Sequence, residues 1–210
     1  MNWQVVELRS VLPGPWKNGA GSTRELVAWP GPGNWAWRMS VAEVSGSGPF
    51  SRFEGVQRWF AVLQGAGVVL TTAGQRRTLR PHSAPHCFDG AAPTDCELLD
   101  GATRDFNLMT RSIGTPVTGA RMARVCGGAS LCVARTGIVA VYAVGAGTKL
   151  LLEQQRPAEP GLDLSPDSLA WCSVEPGGRL RVQAEQALLI EIDLRAPAEL
   201  PEHGAAEQRA

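Results

Sequence analysis

Short apolar runs separated by glycine and proline are the feature that most restricts the fold of this 210-residue chain. The chain contains 24 glycines and 15 prolines, and the runs between them have strand lengths and are mostly rich in β-branched or aromatic residues. Helical spacing of apolar residues is sustained nowhere for about three turns, so we expect few and short helices. This pattern is typical of an all-β sandwich or barrel. The runs that we predict to be strands are 35–44, 59–63, 68–72, 96–99, 106–110, 131–134, 138–144, 150–153, 169–173, 179–182 and 188–194.

Acidic and basic residues balance, because 20 Lys and Arg residues face 20 Asp and Glu residues and the formal net charge is zero. A neutral chain is a poor match for nucleic acid or an anionic membrane bound by bulk electrostatics. The longest apolar run, 138–144, is far shorter than the roughly 18 residues that suggest a membrane span. The residues from Met1 onward do not show the pattern of a secretion signal, in which a basic segment is followed by an apolar one. We therefore expect a soluble, cytoplasmic protein that binds neither nucleic acid nor membranes.

The sequence lacks the motifs that metal and hydrolytic sites need. The five cysteines are odd in number and form no C-x-x-C motif, so we interpret them as buried reduced thiols, with a catalytic or redox cysteine as the alternative. His82 and His86 are separated by a proline, and no H-x-H motif with a following carboxylate occurs. The G-x-S-x-G and G-x-G-x-x-G motifs are missing as well. We expect no metal and no cofactor.

The composition of the chain changes near residue 115. Eleven of the thirteen aromatic residues lie at or before Phe106, and the net charge is +2 up to Thr115 and −2 after it. Aromatic side chains with a slight positive bias favour a small-molecule site in the first half. We predict a first domain over 1–115 that carries the ligand site, a second over 116–195, and a flexible tail over 196–210.

Two early segments carry candidate binding residues. In residues 16–25, a Gly-Ala-Gly turn brings Asn18, Thr23 and Arg24 close together; this segment either cradles an anion or is a plain turn into the first strand. In the strand that follows, alternation puts Arg38 and Ser40 on one face. That face is either a cavity wall or an ordinary solvent-facing side.

Two later segments add charged and polar side chains to the same region. Arg58 stands at the end of an apolar stripe, where a buried guanidinium needs an acidic partner or an anionic ligand. Its planar fork suits a carboxylate, which accepts two parallel hydrogen bonds. Alternation also places Asp105, Asn107 and Arg111 on one side of a strand, either as site residues or as a structural Asp–Arg pair.

Six motifs follow one another in order across residues 16–111. They are WKNGAGSTRE (16–25), WRMSVA (37–42), GPFSRFEGVQR (48–58), VLQG (62–65), FDG (88–90) and LLDGATRDFNLMTR (98–111). Together these motifs resemble the HutD/Ves family. One departure is visible after Arg111, where the family often has a second arginine and this chain has Ser112.

The resemblance implies a duplicated cupin, in which two small antiparallel β-barrels or jelly rolls pack together and the first holds the site. It also implies a metal-free protein of histidine utilisation that binds a small carboxylate, such as N-formylglutamate or formate, and limits pathway flux rather than catalysing a step. The ligand-binding residues carried over from the motifs are Asn18, Thr23, Arg24, Arg38, Ser40, Arg58, Asp105, Asn107 and Arg111.

Two other functions remain open from the sequence. A metal-independent cupin enzyme, an isomerase or lyase acting on a small organic acid, could use Asp105 as a general base. An interaction protein could instead use the second barrel mainly to form a homodimer, which an exposed apolar patch within 116–195 would favour.

Overall fold

The computed structural model describes residues 3–153 and 161–195. Within those ranges the chain is almost entirely β-strand, and a single 3₁₀ turn at Leu8–Ser10 is the only helix. The prediction of an all-β fold is confirmed, whereas the tail predicted at 196–210 lies outside the described residues. The strands are β1 (Gln4–Glu7), β2 (Gly14–Pro15), β3 (Gly21–Trp29), β4 (Trp37–Val44), β5 (Gly48–Pro49), β6 (Val56–Gln64), β7 (Val68–Thr72), β8 (Gln75–Leu79), β9 (His86–Asp89), β10 (Thr94–Leu98), β11 (Thr103–Arg111), β12 (Val117–Cys132), β13 (Gly137–Ala143), β14 (Thr148–Glu153), β15 (Leu162–Leu164), β16 (Ser168–Val174) and β17 (Arg179–Leu194).

Two antiparallel sheets form from the first half of the chain. One has six strands in the order β2-β3-β4-β11-β6-β9, and the other has four in the order β5-β10-β7-β8. Because side chains alternate along a strand, β6 sends Phe60 and Val62 into a core shared with the four-stranded sheet. It sends Ala61 and Leu63 into a larger core on its other face. The centre of the six-stranded sheet is therefore buried on both faces.

The second half forms a seven-stranded antiparallel sheet. Its order is β1-β16-β13-β17-β14-β15, with β12 paired along β17. Residue 115 lies between β11 and β12, but β1 joins the later sheet, with Gln4 opposite Trp171 on β16. Tyr142 on β13 packs against Phe106 of the six-stranded sheet, with ring centroids 5.1 Å apart. The two halves thus share one hydrophobic core.

Several details differ from the sequence predictions. The runs predicted as separate strands at 179–182 and 188–194 belong to one strand, β17, and β8 and β9 have no predicted counterpart. The strand predicted from residue 35 begins at Trp37, and Trp35 packs with Val56 in a separate small cluster. Cys126 and Cys132 are exposed rather than buried. They lie on the outer part of β12, where most of the neighbouring side chains are exposed as well.

Large exposed hydrophobic side chains mark surfaces where a partner could dock. In the described part of the chain, none of them falls within 116–195, and they are Val5, Leu12, Trp29, Leu99 and Ile113. Over the same described residues, no helix has both the length and the apolar character needed to cross a membrane.

Candidate functional site

A cavity of about 470 Å³ opens on the face of the six-stranded sheet that β4, β6 and β11 share. The cationic side chains on its wall are Lys17, Arg38 and Arg58, and no Asp or Glu is among the described residues that line it. The complete lining is Pro15, Trp16, Lys17, Asn18, Thr23, Arg38, Ser40, Ala42, Pro49, Phe50, Ser51, Phe53, Arg58, Asn107 and Met109. The cavity therefore combines an apolar and aromatic wall with a net positive charge.

Arg58 is the most deeply buried cation of this cavity, with 7% of its surface exposed. Its Nε and Nη2 donate to Oδ1 of Asn107 at 2.9 and 2.7 Å. The guanidinium carbon lies 4.4 Å from the ring centroid of Phe50 and 5.5 Å from that of Phe88. Burial and, to a lesser degree, the nearby charge of Arg38 lower the pKa of Arg58 to about 10, against the opposing effect of Asp105. Arg58 stays protonated near neutral pH.

Arg38 lies on the same wall, on β4. Its Nη1 is 3.5 Å from a carboxylate oxygen of Glu25, and its guanidinium carbon is 5.7 Å from the ring centroid of Trp35. Burial lowers the pKa of Arg38; Glu25 opposes this effect, and Arg111 adds to it. The Nε of Arg38 is buried without a hydrogen-bond partner. Arg38 thus brings a second, partly neutralised positive charge.

Asp105 lies on β11, two residues before Asn107 and on the same face of that strand. Its side chain is fully buried, Oδ2 accepts a hydrogen bond from the Thr103 hydroxyl at 2.8 Å, and Oδ1 has no partner. Burial raises the pKa of Asp105 to about 7, although the Thr103 hydrogen bond and the charge of Arg58 both lower it. This carboxyl therefore exists in both protonation states near neutral pH.

Small polar groups complete the wall. The indole Nε1 of Trp16 donates to the Thr23 hydroxyl at 2.8 Å, and the side-chain oxygen of Asn18 accepts from the Ala20 amide at 3.1 Å. Ser40, which is 2% exposed, sits on β4 between Arg38 and Ala42. These groups could orient a ligand with neutral hydrogen bonds.

Six of the nine predicted site residues line this cavity, and three do not. The six are Asn18, Thr23, Arg38, Ser40, Arg58 and Asn107.

The remaining three, Arg24, Asp105 and Arg111, make contacts elsewhere. Arg24 follows Thr23 on β3, so alternation turns it to the opposite face, where it pairs with Glu43 at 2.8 Å. Asp105 is covered by its neighbours, and the guanidinium of Arg111 lies 4.1 Å from the ring centroid of Trp35.

Several lining residues had no predicted role, although they belong to the quoted motifs. Trp16 meets Phe50 edge-on with ring centroids 6.5 Å apart, and Phe50 packs on Phe60 at 5.8 Å. Lys17 supplies the third positive charge. Phe50 directly follows the two-residue strand β5 (Gly48–Pro49), and no local sequence signal marks it as a cavity residue.

No ready metal site is present in the described residues. Across 3–153 and 161–195, no three His, Cys, Asp or Glu side chains come together in a group that could hold a metal ion. The polar groups that the cavity does offer are guanidinium, ammonium, amide and hydroxyl groups, which bind anions.

Comparison with known proteins identifies the family. The HutD family model matches residues 9–190. The chain belongs to the HutD family. It is 47% identical over 98 residues to an uncharacterized 21.2 kDa protein in the hutC 3′ region of Pseudomonas putida, covering 45% of this chain and 51% of that protein. It is 42% identical over 98 residues to protein Ves of Cronobacter sakazakii, covering 46% and 54%.

The matches to these two curated relatives span about half of their length. Structural similarity extends further. HutD from Pseudomonas fluorescens superposes with a TM-score of 0.77 and 31% sequence identity, covering 93% of this chain and all of that one. The HutD-family chain thus shares its all-β fold with that HutD structure.

Proposed function

We propose that this HutD-family protein binds a small carboxylate, such as N-formylglutamate or formate, in the cavity of its first half. In this proposal it is a cytoplasmic regulatory protein of histidine utilisation that needs no metal or cofactor. Binding, rather than turnover, is the function.

The environment of Arg58 is the observation that carries the proposal. A buried charge normally has a charged partner, because removing an unpaired ion from water is costly. Both hydrogen bonds of the Arg58 guanidinium go instead to the neutral amide of Asn107, and no ion pair to Arg58 forms among the described residues. A ligand carboxylate would supply the missing charge.

Cavity size and charge favour a small acid over other ligands. The volume of about 470 Å³ is within the range of small-molecule pockets, roughly 300–1,000 Å³. Lys17, Arg38 and Arg58 attract an anion, and the apolar wall that includes Phe50 strengthens each ionic contact by excluding water.

The link to histidine utilisation comes from the family. The chain matches the HutD model over most of its length, and the relative from Pseudomonas putida is encoded in the hutC 3′ region. Intermediates of histidine breakdown that carry a carboxylate are therefore the first ligands to test.

Calorimetry with N-formyl-L-glutamate and sodium formate tests the proposal. We expect Arg58→Ala to weaken binding by about 2–5 kcal/mol, because it removes the partner of a desolvated charge. Arg58→Lys keeps the charge but loses the planar fork, so it should retain part of the affinity. Arg76→Ala is the matched control, since Arg76 pairs with Glu97 on the exposed surface of β8. Equal affinity of the wild type and Arg58→Ala would contradict the assignment.

An enzymatic function is the second candidate, and one observation favours it. A pKa of about 7 for Asp105 suits a general base near neutral pH. The fully buried Asp105 side chain would have to reach the ligand from behind the cavity wall. Proton NMR of the protein mixed with small organic acids would reveal turnover, and an enzyme of this kind should lose it in Asp105→Asn.

A further inference from the structure

Asp105 and the proposed ligand would act on the same buried positive charge. Asp105 and Asn107 lie on one face of β11. Asn107 accepts two hydrogen bonds from the guanidinium of Arg58, which lies diagonally across on β6, opposite Met109. The charge of Arg58 acts on Asp105, and the charge of Asp105 acts in return on Arg58. A ligand in the cavity and the carboxyl group of Asp105 would therefore both interact electrostatically with Arg58.

Ionised Asp105 is poorly stabilised where it stands. The Thr103 hydroxyl satisfies one carboxyl oxygen, and the other oxygen is buried with no hydrogen-bond partner. Water cannot solvate the carboxylate, because the residue is 0% exposed. The main stabilisation of the anion is thus the Thr103 hydrogen bond and the field of Arg58, and any second anion beside Arg58 weakens that field.

The other groups around Asp105 hold a constant charge near neutral pH. The Cys96 thiol faces it from β10, and burial raises the pKa of this thiol to about 12, so it stays neutral. Ala42 of β4 and Val62 of β6 are opposite Asp105 in the sheet and do not titrate.

His86 on β9 is another titratable group in the surroundings of Arg58. It stacks on Phe88, with ring centroids 5.6 Å apart, and Phe88 flanks Arg58. Burial, with help from Arg77, lowers the pKa of His86 below its usual 6.5. His86 therefore loses its proton, and with it its charge, at a lower pH than the one at which Asp105 loses its proton and becomes charged.

We propose that Asp105 competes with the bound anion for the positive charge of Arg58, so that the site takes up a proton from solvent when it binds its ligand. The carboxylate of Asp105 becomes a neutral carboxyl group, and the ligand carboxylate takes its place as the counter-charge. This inference rests on the proposed carboxylate-binding function and adds a control by pH to it: affinity rises as the pH falls. It also gives Asp105 a role that needs no contact with the ligand.

Calorimetry in buffers of different ionisation enthalpy measures the number of protons that the protein takes up when it binds a ligand. N-formyl-L-glutamate and formate are the probes, because their carboxylates stay ionised between about pH 6 and pH 8.5. At about pH 7.5 we expect an uptake of roughly half a proton or more per ligand bound, and above the pKa of Asp105 the Kd should rise by up to about tenfold per pH unit.

Two variants isolate Asp105. Asp105→Asn should bind without proton uptake and with an affinity that hardly changes over this range. Thr103→Val removes the hydrogen bond that favours the anion, so the pH at which affinity falls should move upwards. Asp95→Asn, at an exposed position on β10, and His86→Gln should keep the wild-type pH dependence.

The outcomes separate the two proposals. Binding without proton uptake in the wild type, or a pH dependence that persists in Asp105→Asn, would overturn the inference and leave carboxylate binding intact. If Asp105→Asn does not fold, an unchanged pH profile in Thr103→Val would count against the inference. Failure of both probes to bind at any pH in the range would overturn carboxylate binding and the proton linkage together.

Discussion

Burial disfavours the charged form of both Arg58 and Asp105, but the two residues respond differently. Arg58 keeps its proton because a guanidinium group binds a proton very tightly. Asn107 and two aromatic rings also stabilise the positive charge. Asp105 has one hydrogen bond and an orphaned oxygen, so burial pushes it towards the neutral form. A single sheet face thus holds a permanent cation beside a carboxyl group whose charge depends on pH.

The stability of the protein should depend on pH through Asp105. Its pKa is about 7 when folded and near 3.8 in an exposed carboxyl, so the folded state holds this proton more tightly than the unfolded state does. The contribution of the neutral Asp105 carboxyl to the free energy of unfolding is complete below pH 3.8 and is lost as the pH rises through 7. Above that pH, the buried carboxylate lowers the free energy of unfolding by about 4 kcal/mol.

Asp105→Asn should remove that loss, since the amide is neutral at every pH. Urea denaturation at about pH 5 and about pH 8.5 should show a smaller fall in the free energy of unfolding for the variant than for the wild type. Asp95→Asn is the control and should behave like the wild type. A fall of equal size in Asp105→Asn would contradict the role of this residue.

Asn107 should decide whether Arg58 is available to a ligand. Asn107→Asp replaces the neutral acceptor with a carboxylate of the same shape, which would pair with Arg58 inside the protein. We expect the affinity for N-formyl-L-glutamate to fall by about tenfold or more. Calorimetry measures this, with Gln75→Glu on the exposed part of β8 as a variant of equal net charge. Unchanged binding in Asn107→Asp would argue against a ligand at Arg58.

At the level of the elements, strand register decides which core each side chain enters. β4, β6 and β11 have buried residues on both faces, so they lack the polar outer side of a typical antiparallel strand. A shift of one residue would turn Arg58 from the cavity into the apolar core. The turns that fix this register therefore matter for the site.

Gly67, between β6 and β7, should tolerate no side chain. It has φ +111°, and an added Cβ would collide with the backbone oxygen of Leu79 on β8. Gly74 in the β7–β8 hairpin also has a positive φ, +82°, but has open space around it.

We expect Gly74→Ala to cost about 1 kcal/mol, from backbone strain alone. Gly67→Ala should cost at least about 3 kcal/mol because the collision adds to the strain. Urea denaturation of the two variants compares them, and equal losses would show that the contact with Leu79 is unimportant.

In the molecule as a whole, polar contacts tie the two halves together around their shared core. Asp167, in the turn before β16, accepts hydrogen bonds from the Tyr142 hydroxyl at 3.0 Å and from Arg104 of the six-stranded sheet at 2.9 Å. Its backbone oxygen accepts from the Leu8 amide. Arg124 on β12 donates to the backbone oxygens of Ser83 and Val62 at 3.0 and 2.8 Å.

Arg124→Ala should destabilise the whole protein. The change leaves two backbone oxygens without a charged donor, and each such bond contributes about 1.5–3 kcal/mol. Arg121→Ala, three residues earlier on the same strand, removes an exposed pair with Glu191 and should cost less than about 1 kcal/mol. Chemical denaturation distinguishes the two, and similar losses would contradict a role for Arg124 in joining the halves.

The sequence by itself determined the features that follow from local backbone geometry. Glycine and proline separated the strands along the chain. The two-residue period of a strand put Arg38 and Ser40 on one face of their strand, and Arg58 and Phe60 on one face of theirs. The residue types also indicated an anion, since a guanidinium on an apolar stripe needs an acidic partner.

Only the tertiary structure decided which of these faces meet. It brought Lys17 and Phe50 to the same cavity as Arg58, turned Arg24 away to Glu43, and joined β1 to the sheet of the second half. Alternation depends on neighbouring residues alone, whereas the pairing of distant strands depends on the packing of the whole core, which no short stretch of sequence encodes.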